Sequence, residues 1–79
     1  MPKKAFGEVL KAARNSKKLT QEKLALNSGI SRNTIVSLEK GEFVPTLETI
    51  FKVAHGLDML PEELVVQTRV KMSETPNLD

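Results

Sequence analysis

Residues 20–41 read TQEKLALNSGISRNTIVSLEKG, and the rest of the chain is best read outward from them. Thr20 suits a helix N-cap, because its hydroxyl can accept from a first-turn N–H that has no other partner. Gln21 and Glu22 follow as first-turn residues, and Leu24 and Ala25 point inward. Ser28-Gly29 stops this helix, since glycine readily takes the left-handed conformation just past a helix end. Ile30 follows, and Ser31 caps a second helix that ends at Lys40-Gly41. The two helices, 21–27 and 32–40, are separated by a turn too short for anything but a sharp corner. Ala25 is small where they must cross, and Ile30, Ile35 and Leu38 supply the apolar side.

On the N-terminal side, Phe6, Val9, Leu10 and Ala13 recur at helical spacing on one face, with Lys4, Glu8 and Lys11 on the other. Asn15-Ser16 ends that segment. On the C-terminal side, Pro45-Thr46 opens a fourth helix with Leu47, Ile50, Phe51 and Ala54 periodic, and Gly56 is read as its terminator. Pro61-Glu62-Glu63 opens a fifth, with proline in the first turn and two carboxylates at the positive end of the helix dipole. Within it Leu64, Val65, Thr68 and Met72 are read as one stripe that completes the core. The polar stretch 73–79 contains Pro76 and is predicted to fray. No strand alternation and no repeat is found. The reading is all-α: one compact five-helix domain over 1–72, followed by a short tail.

Seventy-nine residues make one small domain with a modest core. With no cysteine there is no disulfide framework, no thiolate metal site and no cysteine nucleophile. His55 is the only histidine, and a contact with the end of the fourth helix is a sufficient role for it. Glu62 and Glu63 are adjacent, so they diverge and suit helix initiation better than acid/base work. There is no glycine-rich phosphate loop. Phe6, Phe43 and Phe51 are too scattered for a base-stacking platform. The expectation is a protein that is not an enzyme and takes no metal or cofactor. No membrane span and no apolar signal segment is present, so a cytoplasmic location acting on DNA is expected, with no membrane partner.

Charge is unevenly placed. Lys3, Lys4, Lys11, Arg14, Lys17 and Lys18 against Glu8 give residues 1–20 a net of +5, and residues 42–79 carry a net of −4. The whole-chain +2 therefore joins a basic half to an acidic half. A basic half suits a polyanion, either a nucleic acid or an anionic membrane surface.

The two-helix unit over 21–40 has the pattern of a helix-turn-helix, in which the second helix is presented to the major groove. The run Thr20-Gln21-Glu22-Lys23-Leu24-Ala25, then Ser28-Gly29-Ile30-Ser31-Arg32, Ile35 and Leu38-Glu39-Lys40-Gly41 resembles the lambda-repressor/Cro-type, xenobiotic-response-element-like helix-turn-helix regulators. The likeness continues through Pro45-Thr46-Leu47, Ile50 and Leu57…Pro61-Glu62-Glu63-Leu64. It spans about residues 6–65 and is strong for family but weak for target sequence. It implies a lambda-repressor-like fold and a bacterial or phage transcriptional regulator bound to double-stranded DNA.

Stepping about 100° per residue along helix 31–40 puts Ile35 and Leu38 on one side. Asn33, Val36, Ser37 and Lys40 fall opposite, with Arg32 at the edge. Arg32 can pair bidentately with guanine, Asn33 can read adenine and Val36 can meet a thymine methyl. Ser37 is ambivalent, and Lys40 suits phosphate. The resemblance implies that Gln21 contacts the DNA backbone and supports the recognition helix. Thr34 faces sideways, toward either a phosphate or a packing neighbour. The resemblance also implies that Arg14 and Glu39, each about 40° off an apolar position, meet as an ion pair; the rival is Arg14 on phosphate. Lys3 and Lys4 are read as an arm along the DNA backbone, with Lys17 and Lys18 in the loop before the second helix.

One such unit reads only about four or five base pairs, so a homodimer on a palindromic operator is expected. Val66 and Val70 lie off the core stripe, and with Met59 and Leu60 they are the expected dimer face; the alternative is one broad buried face. The regulator is expected to act as a repressor, often of its own promoter. A restriction–modification controller is a further reading, as is an antitoxin whose C-terminal stripe covers a toxin protein.

Overall fold

The computed structural model describes residues 2–74. Within them lie five α-helices and no strand: α1 (Pro2–Ser16), α2 (Gln21–Ser28), α3 (Arg32–Glu39), α4 (Leu47–Leu57) and α5 (Pro61–Glu74). Three of them begin on a hydroxyl cap. Thr20, Ser31 and Thr46 accept from the N–H of Lys23, Thr34 and Thr49 at 3.0, 3.1 and 3.1 Å, each worth about 1 kcal/mol. The start of α5 uses a different donor–acceptor pair. Leu60 has no side-chain oxygen, and Glu63 instead reaches back to accept from the Leu60 N–H at 2.8 Å.

Gly29 closes α2 at φ 71°, and the Ile30 N–H returns to the Ala25 carbonyl at 3.1 Å. Gly41 takes the same conformation after α3, also at φ 71°, and two further left-handed residues carry side chains. Lys18 and Asp58 both sit at φ 58°, at a cost of about 1 kcal/mol relative to glycine. Asp58, not Gly56, terminates α4. Gly56 lies inside the helix and serves a packing purpose. A Cβ there would run into the Ser28 hydroxyl and come within 3.1 Å of Leu24 Cδ1, so its absence lets α4 cross α2 closely.

α1 packs on α3 and α5, α2 on α3 and α4, and α4 on α5. Between them Leu10, Leu24, Ile35, Leu38, Val53, Leu57 and Leu64 are fully buried. Gly7 does for α1 what Gly56 does for α4: a Cβ would stand 2.9 Å from the Glu39 carbonyl oxygen. α1 is thereby pressed onto the last turn of α3.

Three apolar expectations are corrected. Leu47 and Phe51 are 69% and 56% exposed, because α4 turns Val53, Ala54 and Leu57 to the core. Its apolar arc is wider than the one side that α2 and α5 cover. Val65 is 49% exposed, while Leu64 and Thr68 of the same expected stripe are buried; Thr68 satisfies its hydroxyl by donating to the Leu64 carbonyl at 2.7 Å. Ser73 and Glu74 continue α5. The remainder of the expected frayed tail, 75–79, lies outside the described residues.

Candidate nucleic-acid interface

α3 is divided along its length. Ile35 and Leu38 are fully buried, Arg32, Asn33 and Lys40 are exposed, and Thr34, Val36 and Ser37 are half-buried along the boundary. The helix proper is one residue shorter at each end than 31–40, with Ser31 as N-cap and Lys40 as C-cap. Thr34 turns toward the cap, its hydroxyl 2.8 Å from that of Ser31. The open side therefore carries a guanidinium, an amide and an ammonium group around a small hydroxyl and a valine. Such a surface can donate to base edges and phosphates and meet a methyl group.

Beneath this surface runs a hydrogen-bonded chain. Arg14 of α1 donates from Nε to Glu39 Oε2 at 2.6 Å and from Nη2 to Glu39 Oε1 at 3.1 Å. Its Nη1 donates to the Leu19 carbonyl at 2.8 Å. The side chains are nearly enclosed, at 11% and 4% exposure. Arg14 and Glu39 are thus paired by a two-point bond, and Arg14 is held away from solvent. The hydrogen bonding of Arg14 to Glu39 raises the Arg14 pKa above its ordinary value, against the lowering effect of burial, with the Glu39 charge adding to the rise. Glu39 Oε1 also accepts from Gln21 Nε2 at 3.1 Å. Gln21 Oε1 in turn faces Arg32, whose Nη2 donates across a long 3.5 Å contact. Nothing in the sequence pattern signals the Gln21–Glu39 bond, since the two residues sit on different helices and neither spacing nor burial pairs them.

The basic residues divide into two groups. Lys17 and Lys18 are exposed between α1 and α2. Lys3 and Lys4 do not form an arm, because they are part of the first turn of α1. Pro2 presets the helical backbone there, and a Cβ on Gly41 would lie 2.9 Å from the Lys4 Cα, so this turn is packed on the end of α3.

The expected dimer residues do not fall on one open surface. Met59 packs partly against the core. Val66 and Val70 line a groove with Glu8, Val9 and Ala12 of α1, beside the Lys71–Glu8 ion pair at 3.5 Å. Leu60 is 58% exposed and precedes Pro61, which lines a different groove with Leu47, Ile50, Phe51, Glu62 and Val65. The helical spacing of Leu47, Ile50, Phe51 and Val65 marks them as core, so the sequence does not signal that second surface. Among the described residues, no cluster of three or more His, Asp or Glu is placed to hold a metal ion, and no helix is long and apolar enough to cross a membrane.

Comparison with known proteins bears on the same stretch. A family profile described as Helix-turn-helix matches residues 10–64. An HTH-type transcriptional regulator of Methanocaldococcus jannaschii is 40% identical over 57 residues, which is 72% of this chain and 86% of that protein. One from Sinorhizobium fredii is 36% identical over 74 residues, 94% of this chain and 91% of its own length. Among solved structures, the restriction-modification controller protein C.AhdI of Aeromonas hydrophila superposes with a TM-score of 0.74 at 39% identity, over 77% of this chain and 92% of that one.

Proposed function

The chain belongs to the Helix-turn-helix family of DNA-binding transcriptional regulators, and from that premise we propose that it is a homodimeric repressor of a palindromic operator. The family is one of regulators and not of enzymes. The observation that carries the reading is the division of α3: a buried side locked to α1 and α2, and an open side of Arg32, Asn33 and Lys40. In this reading α3 lies in the major groove. Arg32 pairs with guanine, Asn33 with adenine, and Val36 and Ser37 meet the neighbouring base edges. Gln21, Thr34 and Lys40 meet phosphate, with Lys3, Lys4, Lys17 and Lys18 supplying the general attraction to the backbone. Occupying a promoter in this way excludes polymerase.

Twofold symmetry places two copies of α3 about 34 Å apart on successive turns of one DNA face. The dimer face we assign is the α4–α5 surface around Leu47, Phe51 and Val65, large apolar side chains that stand exposed, with Leu60 exposed at the start of α5. Of the residues expected from sequence, Leu60 belongs to it, Met59 supports it from the core, and Val66 and Val70 flank it across α5. The likeness to a restriction-modification controller protein favours one further role, control of a restriction–modification operon from the same kind of site.

Selection from random double-stranded DNA tests this. The expected result is a twofold-symmetric sequence bound at least about tenfold better than bulk DNA, with affinity falling steeply as salt rises. Arg32→Ala should relax one position in each half-site, at about 1–3 kcal/mol. Lys17→Ala should weaken all sequences alike. If no sequence is preferred, the reading fails.

A further inference from the structure

The hydrogen-bonded chain under α3 does more than fasten two helices, and we propose that Glu39 is a positioning residue that sets, through Gln21, the direction in which Arg32 meets the bases. The inference rests on the DNA-reading role assigned above and concerns how that role is built. A carboxylate only accepts and a guanidinium only donates, whereas an amide does one on each side. Gln21 sits between one of each. Its Nε2 donates to Glu39 Oε1 at 3.1 Å, and its Oε1 faces Arg32 Nη2 at 3.5 Å. Turning the amide over would set oxygen against carboxylate and nitrogen against guanidinium, so Glu39 permits only one orientation.

Glu39 cannot shift to accommodate a different one. Arg14 holds both of its oxygens, and Arg14 is itself fixed to the Leu19 carbonyl. At 4% side-chain exposure, Glu39 does not reach DNA directly. Its effect on reading must pass through Gln21. Arg32, by contrast, is exposed and makes no shorter contact. The Gln21 oxygen gives it a preferred side while leaving the remaining guanidinium donors free for a guanine edge. Holding the arginine in place beforehand reduces the rotamer entropy lost on binding.

The isosteric substitution Glu39→Gln tests this without emptying space. The introduced amide would keep its oxygen at the 2.6 Å contact with Arg14 Nε and turn its nitrogen toward Gln21, giving up the 3.1 Å bond from Arg14 Nη2, so its stability is measured beside its base preference. Gln21 would then flip and present nitrogen to Arg32. Gln21→Leu is the companion variant, since it cuts the chain while leaving the Arg14–Glu39 pair intact. Base preference is read by competition binding on the selected sequence and its single-base variants, below the melting transition of each protein. The position read by Arg32 is the one that Arg32→Ala flattens.

At that position a preference of about tenfold should fall to within about twofold in both Glu39→Gln and Gln21→Leu, with preferences elsewhere retained. Adding Arg32→Ala to either should cause no further loss there, as expected for residues acting as one unit. Losing the Gln21 phosphate contact lowers affinity for all sequences alike, so the readout is relative preference: its loss at every position would show that the chain is structural only, and an unchanged preference would also overturn the proposal. Should Arg32→Ala flatten no position although the wild type selects a sequence, the positioning role falls alone. If the wild-type protein selects nothing, the DNA-reading role falls first and this falls with it.

Discussion

Around α3, an exposed polar surface lies over a chain of Arg14, Glu39, Gln21 and Arg32 that is anchored in α1 and α2. Across α4 and α5 the arrangement is reversed: Leu47, Phe51, Leu60 and Val65 stand exposed over an interior that is apolar but for Ser28 and Thr68. The ion pair between Lys52 and Glu48 on α4 is 3.4 Å long and exposed, so it fixes little. The contrast follows from what each surface needs. Long polar side chains do not hold their own positions, and in the proposed role a face that meets bases must be fixed from behind. Exposed valines, leucines and phenylalanine are already stiff and lack only a cover. The charge follows the same division, with a net +6 over residues 1–41 and −4 over 42–79. Acidic charge beside the apolar surface keeps that end off the phosphates.

The largest test of the contrast removes a member of the enclosed pair. Arg14→Ala strands a nearly buried carboxylate, and we expect a loss of about 3 kcal/mol in urea unfolding. Glu48→Ala, which breaks the exposed pair, should change stability by less than about 0.5 kcal/mol. Comparable losses from both would erase the distinction between the halves. The pH dependence has a defined sign. Because the folded-state pKa of Arg14 is raised, its contribution is fully present below the ordinary guanidinium value and is lost only as pH rises through the higher one. The gap between wild type and Arg14→Ala should therefore stay flat from about pH 8 to 10.

Next in size is the other half. Phe51→Glu puts a charge into the assigned dimer face and should weaken self-association by about 2 kcal/mol or more while helix content by circular dichroism is kept. Sedimentation at tens of micromolar checks it. Val66→Glu, on the far side of α5, should leave association nearly unchanged; if it alone yields monomers, the dimer face lies in the α1–α5 groove instead.

The smallest effect lies on the seam. Ser28 is buried where α2 meets Gly56 of α4, and its Oγ has no hydrogen-bond partner among the described residues. Ser28→Ala removes an unpaired polar atom without opening much space, and should raise stability by up to about 1 kcal/mol. A loss of that size would mean that the hydroxyl has a partner in solution, such as an ordered water.

Much of the fold was legible because its signals are local. Thr20 and Ser31 cap the helices they are expected to cap, Thr46 caps the helix that Pro45-Thr46 is expected to open, and Gly29 makes the expected corner. Gly56 was misread because glycine serves equally at a helix end and at a close crossing, and only the neighbouring helix distinguishes the two. Asp58 takes the left-handed closure in its place, a role that the surrounding sequence does not mark. Leu47, Phe51 and Val65 were placed inside because their spacing is helical. Periodicity shows that a face is apolar, not that something covers it.

The open face of α3 needed no tertiary information. Ile35 and Leu38 fix which side is buried, and Arg32, Asn33 and Lys40 must then point away. The Arg14–Glu39 meeting was legible only through family resemblance. The link from Glu39 to Gln21 was not legible at all, and neither was the bare α4–α5 surface. Helix period and capping chemistry act within a few residues, so the sequence alone determined five helices, the sharp corner at Gly29 and the open side of α3. Which carboxylate faces which amide, and which apolar face remains uncovered, depends on how helices distant in sequence dock against one another, and that was decided only by packing.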